Sequence, residues 1–392
     1  MNKKLLLFAI LSLFTGYAQA AWVKTNAPSD KTAYCFVSLG SKYFAGFNGG
    51  GVYKSTDNGV NWSVSNTGMG NLTVYNMVVS GGNIFAATSG GLYLSSDQGD
   101  NWVRKDSGMK TSYVAYSVFV KGTEILAATN SGIYKSSNNG VSWSSLNNGL
   151  DSTLGCRSVV AVGSNLLVIS GQKIFRSANN GSSWTDISSF LGPNPTPFQL
   201  ATDGTNIYLA VYSGLYKSTD GGVTWNTLGH DMTVYTIYTD GAKVYVGTDE
   251  GVQYTSINGT FFREANDGFG PVYKRVYGIG VMGNVVFASA SQLISEVWKR
   301  PSSEMKTSVS DEKMNVSFSI YPNPSKDIFN VTSSVDIDDI WVQNIYGETV
   351  QTIGPVKSGE SYRINLSQMS KGVYIVVYRV NGSITYKNVV LN

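Results

Sequence analysis

The residues of this chain best suited to chemistry on a ligand form a row. Seven glycines, Gly40, Gly81, Gly122, Gly163, Gly204, Gly241 and Gly283, recur at intervals of 37 to 42 residues. Six positions before them stand Tyr34, Tyr75, Tyr116, Arg157, Phe198, Tyr235 and Tyr277. Six aromatic rings and one guanidinium at one structural position can stack a sugar or grip a peptide. A lone arginine among aromatics either caps a neighbour's carbonyls or meets an anion. The same row could instead fill the wedges between packed sheets. Both readings stay open at this point.

Acid–base chemistry has thinner support. His230 is the only histidine, beside Asp231 in Gly229-His230-Asp231-Met232. A base there would need a nucleophile, and no serine or cysteine elbow motif is present. Asp30, Asp151, Asp231, Asp249, Glu250 and Asp267 are the carboxylates expected near the ligand face. Glycoside hydrolysis needs two of them about 5 to 10 Å apart. Nothing in their spacing pairs any two, and solvation at the surface explains each. No cluster has metal-ligand spacing, so neither a metal nor a cofactor is expected. No catalytic residue is assigned.

These side chains must be held by a repeat. Ser55 to Trp62 reads STDNGVNW, and the shape Ser-x-Asp-x-Gly-x-x-Trp returns four more times, ending at Trp102, Trp143, Trp184 and Trp225. The steps are 40, 41, 41 and 41 residues. A period near forty with four short apolar runs per repeat suits a four-stranded propeller blade. The shape falls in the hairpin between third and fourth strands. There Asp57, Asp97, Asn138, Asn179 and Asp220 can accept backbone hydrogen bonds, and the following glycines supply a positive φ. Trp62, Trp102, Trp143, Trp184 and Trp225 bury their rings to anchor the outer strand. Asparagine replaces aspartate in two copies, which argues against acid–base work.

The third strand recurs seven times, as GVYKS from Gly51 through to Glu296–Arg300. The last repeat lacks a fourth strand, and Trp22-Val23-Lys24 lies 40 residues before Trp62. The expectation is an all-β chain: a seven-bladed β-propeller over 21–300, closed by its own N-terminal strand, followed by a small C-terminal β-sandwich. Closure hides the edges that an open sheet exposes. Cys35 and Cys156 fall in first strands three repeats apart, too far for a disulfide, and are expected to be free thiols.

The boxes resemble the Asp-box, or BNR, repeat of sialidase-like propellers over about residues 22 to 300. The resemblance implies that the boxes lie on the face opposite the ligand site. The chain departs from sialidases in lacking their Arg-Ile-Pro motif and in its seven repeats. Of the arginines, only Arg157 and Arg275 lie near first-strand starts, where a sialidase needs three.

Residues 1–20 read as a secretory signal: Lys3 and Lys4, the apolar run Leu5 to Phe14, then Ala18-Gln19-Ala20. Residues 301–316 read as a polar linker. Residues 317–392 hold six or seven short strand patterns. They resemble the C-terminal sorting domain of type IX secretion cargo. The matching features are Tyr321-Pro322-Asn323-Pro324, the Asn344-Ile345-Tyr346-Gly347 turn, Lys371-Gly372-Val373-Tyr374 and a Lys-Val-Val-like ending. What this implies is export through the periplasm of a Gram-negative bacterium, followed by release or attachment at the outer-membrane surface, with the type IX machinery as partner. The formal net charge is +3, of which Lys3 and Lys4 supply two. A nearly neutral mature chain lacks the basic face that nucleic acid requires. No transmembrane segment is expected beyond the signal. The favoured function is a non-enzymatic secreted or surface module binding a glycan or protein. The alternative is a secreted glycoside hydrolase acting on polysaccharide.

Overall fold

The computed structural model describes residues 21–70, 73–109, 114–151, 154–192, 195–228, 232–259, 262–269, 275–291, 295–306, 318–344, 348–380 and 383–392. The signal reading on 1–20, His230, Asp231, most of the linker and residues 345–347 of the predicted turn lie outside them. The chain divides into two units, 1–305 and 306–392.

Among the described residues, the first unit contains seven four-stranded antiparallel sheets. We number them by their innermost strands: Ala33–Leu39, Val74–Ser80, Ala115–Lys121, Cys156–Val162, Pro197–Thr202, Val234–Thr239 and Arg275–Met282. Each innermost strand packs beside the next, and that of sheet 7 packs beside that of sheet 1, so the ring closes. Sheet 2 is typical. Its inner strand is followed by Asn83–Thr88, Gly91–Ser95 and the two-residue Val103–Arg104. β-branched and aromatic residues fill these runs, and glycine-rich turns break them.

Sheet 7 takes its outer strand from the other end of the chain. Val23 pairs with Lys299 and Lys24 with Trp298. Trp22 behaves as the box tryptophans do, donating from Nε1 to the Ala265 carbonyl in sheet 6 and stacking on Phe269 at 4.8 Å. The last strand of sheet 7 runs on to Pro301, and Met305 is buried in the wedge between sheets 6 and 7. The propeller fold therefore includes the first residues of the segment read as linker, because an apolar side chain there found a wedge to fill.

The core is seven wedges rather than one centre. Phe44 and Val52 of sheet 1 meet Val74, Ile84 and Trp102 of sheet 2. Phe36 and Phe47 of sheet 1 meet Phe287 and Val297 of sheet 7. Cys35 and Cys156 lie buried and free in the inner strands of sheets 1 and 4. Burial pushes both thiols up to about 12, which leaves them protonated and inert.

The second unit has seven strands in two sheets, one of three and one of four. Phe329, Ile340, Val342, Ile364 and Val376 fill the space between them. Thr349–Thr352 forms a strand that the sequence pattern did not single out. Its residues are polar or half-buried on a sheet edge, so it shows little alternation.

Candidate binding site at the mouth of the ring

The row residues share one backbone device. In sheet 1 the register passes from Ala33 opposite Phe47 to Cys35 opposite Gly46, so Tyr34 is an extra residue, a β-bulge. The same shift falls on Tyr75, Tyr116, Arg157, Phe198, Tyr235 and Tyr277. A bulge re-aims its side chain out of the alternating pattern. The flanking residues stay in the wedges, as buried Ala33 and Cys35 do. The bulged residues turn toward one another.

Tyr34 and Tyr75 lie 6.1 Å apart between ring centroids, and Tyr75 and Tyr116 5.4 Å. On the other side, Phe198 and Tyr235 are 5.6 Å apart and Tyr235 and Tyr277 5.1 Å. Tyr34 also lies close enough to Tyr277 to feel its charge. Six rings thus form an arc from Phe198 round to Tyr116, with Arg157 in the gap. Three of the pairs meet at 53°, 48° and 52°, near one step of a sevenfold ring, about 51°. Rings related by rotation show the full step only when their planes stand parallel to the axis. These planes therefore run along the channel, whereas Tyr34 and Tyr75, at 14°, depart from the pattern.

The bulges are braced from the neighbouring sheet. Asn76 accepts the Val118 backbone N–H at 3.0 Å, Ser158 that of Leu200 at 3.0 Å and Gln199 that of Ile237 at 2.8 Å. Each accepting residue follows a bulge. These positioning residues were missed in the sequence. The available signal was a polar residue inside an otherwise apolar inner strand.

The electrostatics are mild. Burial raises the Tyr34 hydroxyl above its ordinary value, helped by the charges of Tyr75 and Tyr277. Burial also raises Tyr75 and Tyr235. These three hydroxyls stay protonated across the physiological range. Arg275 lies beside Tyr277 and near Tyr235 and Asp249. Asp249 keeps a buried Oδ1 without a hydrogen-bond partner among the described residues. The structure thus brings one predicted carboxylate to the rim, next to an arginine. Asp30 pairs with Lys31, and the Asp267 carbonyl holds the Trp22 backbone. Among the described residues, no group of three or more His, Cys, Asp or Glu side chains could hold a metal ion.

The boxes lie at the opposite ends of the strands and are fully used. Ser55 Oγ donates to Asp57 and accepts the Gly59 N–H, while Asp57 accepts the Val60 and Asn61 N–H groups. Asn58, Gln98, Asn139 and Asn180 take a positive φ together with the glycine that follows. The tryptophans do more than anchor their own strand. Trp102 Nε1 donates to the Ser65 carbonyl of the preceding sheet, Trp143 to Lys105 and Trp184 to Leu146. Trp62 instead donates to the Gly59 carbonyl of its own hairpin at 3.2 Å. Trp225 differs again. Its Nε1 is buried without a partner among the described residues, and its ring stacks on Phe190 at 5.0 Å. Phe190 belongs to a short 3₁₀ helix, Ser188–Leu191, in sheet 4's connection to sheet 5.

Residues 319–392 match the family model of a secretion system C-terminal sorting domain, and 104–232 match that of a DUF6242 beta propeller domain. The chain is a β-propeller with a type IX sorting tail. Such a tail marks a secreted or cell-surface protein. Among the described residues, no helix is long and apolar enough to cross a membrane. No relative was found among the curated proteins. Solved structures of similar fold include YCF48 from Cyanidioschyzon merolae, at 17% identity and TM-score 0.56, covering 72% of this chain and 99% of that one. YCF48 bound to D1 peptide matches at 14% and 0.58, covering 73% and 98%. A GH74 xyloglucanase from Xanthomonas campestris matches at 11% and 0.57, covering 94% and 68%. At these identities the likeness is one of fold.

Proposed function

We propose that this is a non-enzymatic binding module of Asp-box type, exported to the surface of a Gram-negative bacterium through the periplasm and the type IX machinery. Its ligand, a glycan or a protein, engages the aromatic ring at the channel mouth. The observation that carries this reading is the bulge repeated in all seven inner strands. Packing alone does not require seven bulges. An unbulged strand would send each row residue back into the alternation and leave the mouth bare. Bulges cluster where a side chain must be re-aimed toward a ligand. Half-buried tyrosines suit this role, since each joins a large apolar face to a polar tip. A similar fold solved with a peptide, in YCF48, is consistent with the reading.

The hydrolase alternative rests on Asp249, whose buried oxygen lacks a partner, and on the xyloglucanase fold. A glycosidase needs a second carboxylate within about 10 Å, and Asp249 instead comes with Arg275. The test is an array of glycans and peptides probed with the mature chain, beside a polysaccharide hydrolysis screen. Binding should fall at least tenfold in Tyr75→Ala and persist in Asp57→Asn, on the far face. Hydrolysis abolished by Asp249→Asn would replace the binding reading with the enzyme.

A further inference from the structure

The ring has one position without an aromatic side chain, and that position is charged. Arg157 is exposed at its bulge. Among the described residues no side chain pairs with its guanidinium. Arg275 differs, lying beside Tyr277 and near Asp249. A guanidinium presented among π faces is the standard partner of a carboxylate, which it can hold by two parallel hydrogen bonds.

Size restricts what can arrive. The four ring pairs of the row are 5.1 to 6.1 Å apart; that spacing carried round seven positions gives a ring roughly 13 Å across, and contact radii near 1.8 Å leave a bore below about 10 Å. An α-helix with its side chains is about 10 to 12 Å wide and does not enter. An extended chain does, end first. The rim of sheets 4 and 5 carries two exposed apolar side chains. Leu154, two residues before the inner strand of sheet 4, is 51% exposed, and Tyr212, in the turn after the second strand of sheet 5, is 66% exposed. Both stand at the mouth end of their sheets. A sugar needs many hydroxyl partners, and the Tyr277 and Tyr235 hydroxyls lie close to Arg275 and Thr233, which compete for them. The ring thus offers more π surface than free polar groups.

Building on the binding reading above, we propose that the mouth takes the C-terminal end of an extended peptide. The terminal carboxylate sits on Arg157, the last side chain lies against the rings, and the preceding apolar residues cross Leu154 and Tyr212. The test uses the mature full-length chain and labelled hexapeptides ending in Leu, Val, Phe, Tyr or Trp. Each is made as the free acid and as the C-terminal amide, and binding is read by fluorescence polarisation. The free acids should bind about tenfold or more tighter than the amides, the range expected of a charge-assisted hydrogen bond. Arg157→Ala should bring the acids down to the amides and leave the amides unchanged. Tyr75→Ala should weaken both, with the circular dichroism melt of each variant showing that it folds. Equal binding of acid and amide, or no peptide binding at all, overturns the proposal. If neutral oligosaccharides then bind in a Tyr75-dependent way, the binding reading survives without it. If no ligand depends on Tyr75, both fall.

Discussion

Within each repeat hairpin, one serine and one aspartate or asparagine do the organising. Ser95 is fully buried, accepts the Gly99 N–H at 2.8 Å and donates to Asp97 at 2.8 Å. Its exchange for alanine strands a buried N–H, which costs about 1 to 3 kcal/mol; a urea unfolding curve of Ser95→Ala reads this directly. The aspartates make stability depend on acid. The Asn61 backbone and side-chain donors hold Asp57 at about 2, and those of Asn101 hold Asp97 there. At Asp220 burial opposes the shift, but the Thr224 hydroxyl and backbone N–H outweigh it and the result is again about 2. A carboxylate whose folded value lies below its unfolded one, 3.8, stabilises the fold above pH 4. That contribution fades as pH falls from about 4 to 2. Asn138 and Asn179 make the same hairpin bonds without a charge. The triple variant Asp57→Asn, Asp97→Asn, Asp220→Asn should therefore show a flatter fall in Tm between pH 4 and 2. A parent-like acid limb would mean that other carboxylates set it.

The elements are joined by clasps that run in both directions between neighbouring sheets. Tryptophan indoles reach back to the preceding sheet, and cations reach forward. Lys299 donates to the Asn58 carbonyl, Arg176 to that of Gly221 and Lys217 to that of Ile257. Lys54 pairs with Asp100. Arg176 lies in the third strand of sheet 4, Lys173–Ser177. Only the neighbouring sheet reveals it as a clamp. The N-terminal segment reaches both ways, its Trp22 indole back to the Ala265 carbonyl and its Asn26 N–H forward to the Val60 carbonyl, and Trp22 is 3% exposed. Trp22→Ala should cost about 3 to 5 kcal/mol, as for other buried aromatics. Deleting 21–26 should cost at least as much, because it also bares the Glu296–Arg300 strand edge. Unchanged chemical denaturation in the deletion would show that sheet 7 is stable with three strands.

For the whole molecule, the sorting tail and the proposed binding ring belong to different units. Loss of 318–392 should leave the product inside the cell, as immunoblots of medium and surface-protease digests would report; undiminished export would remove the sorting role. How far each unit was legible differs in kind. The propeller was readable because its boxes are local: turn chemistry and a forty-residue step suffice to number the repeats and to count Trp22 among them. The sorting tail was readable from short motifs, although its Thr349–Thr352 strand was not, since an edge strand need not alternate. The row was found by its offset from the glycines, but its meaning was undecided between wedge filling and a lined mouth. That choice depends on a bulge, and a bulge is a relation between two strands, not a property of one. The unpartnered Trp225 indole, the Asn76, Ser158 and Gln199 braces and the meeting of Asp249 with Arg275 have the same origin. Repetition and local turn chemistry are written along the chain, so the sequence alone determined the architecture. Register and the facing of one sheet on the next exist only after the ring has closed, so only the tertiary structure brings the row residues together at one mouth.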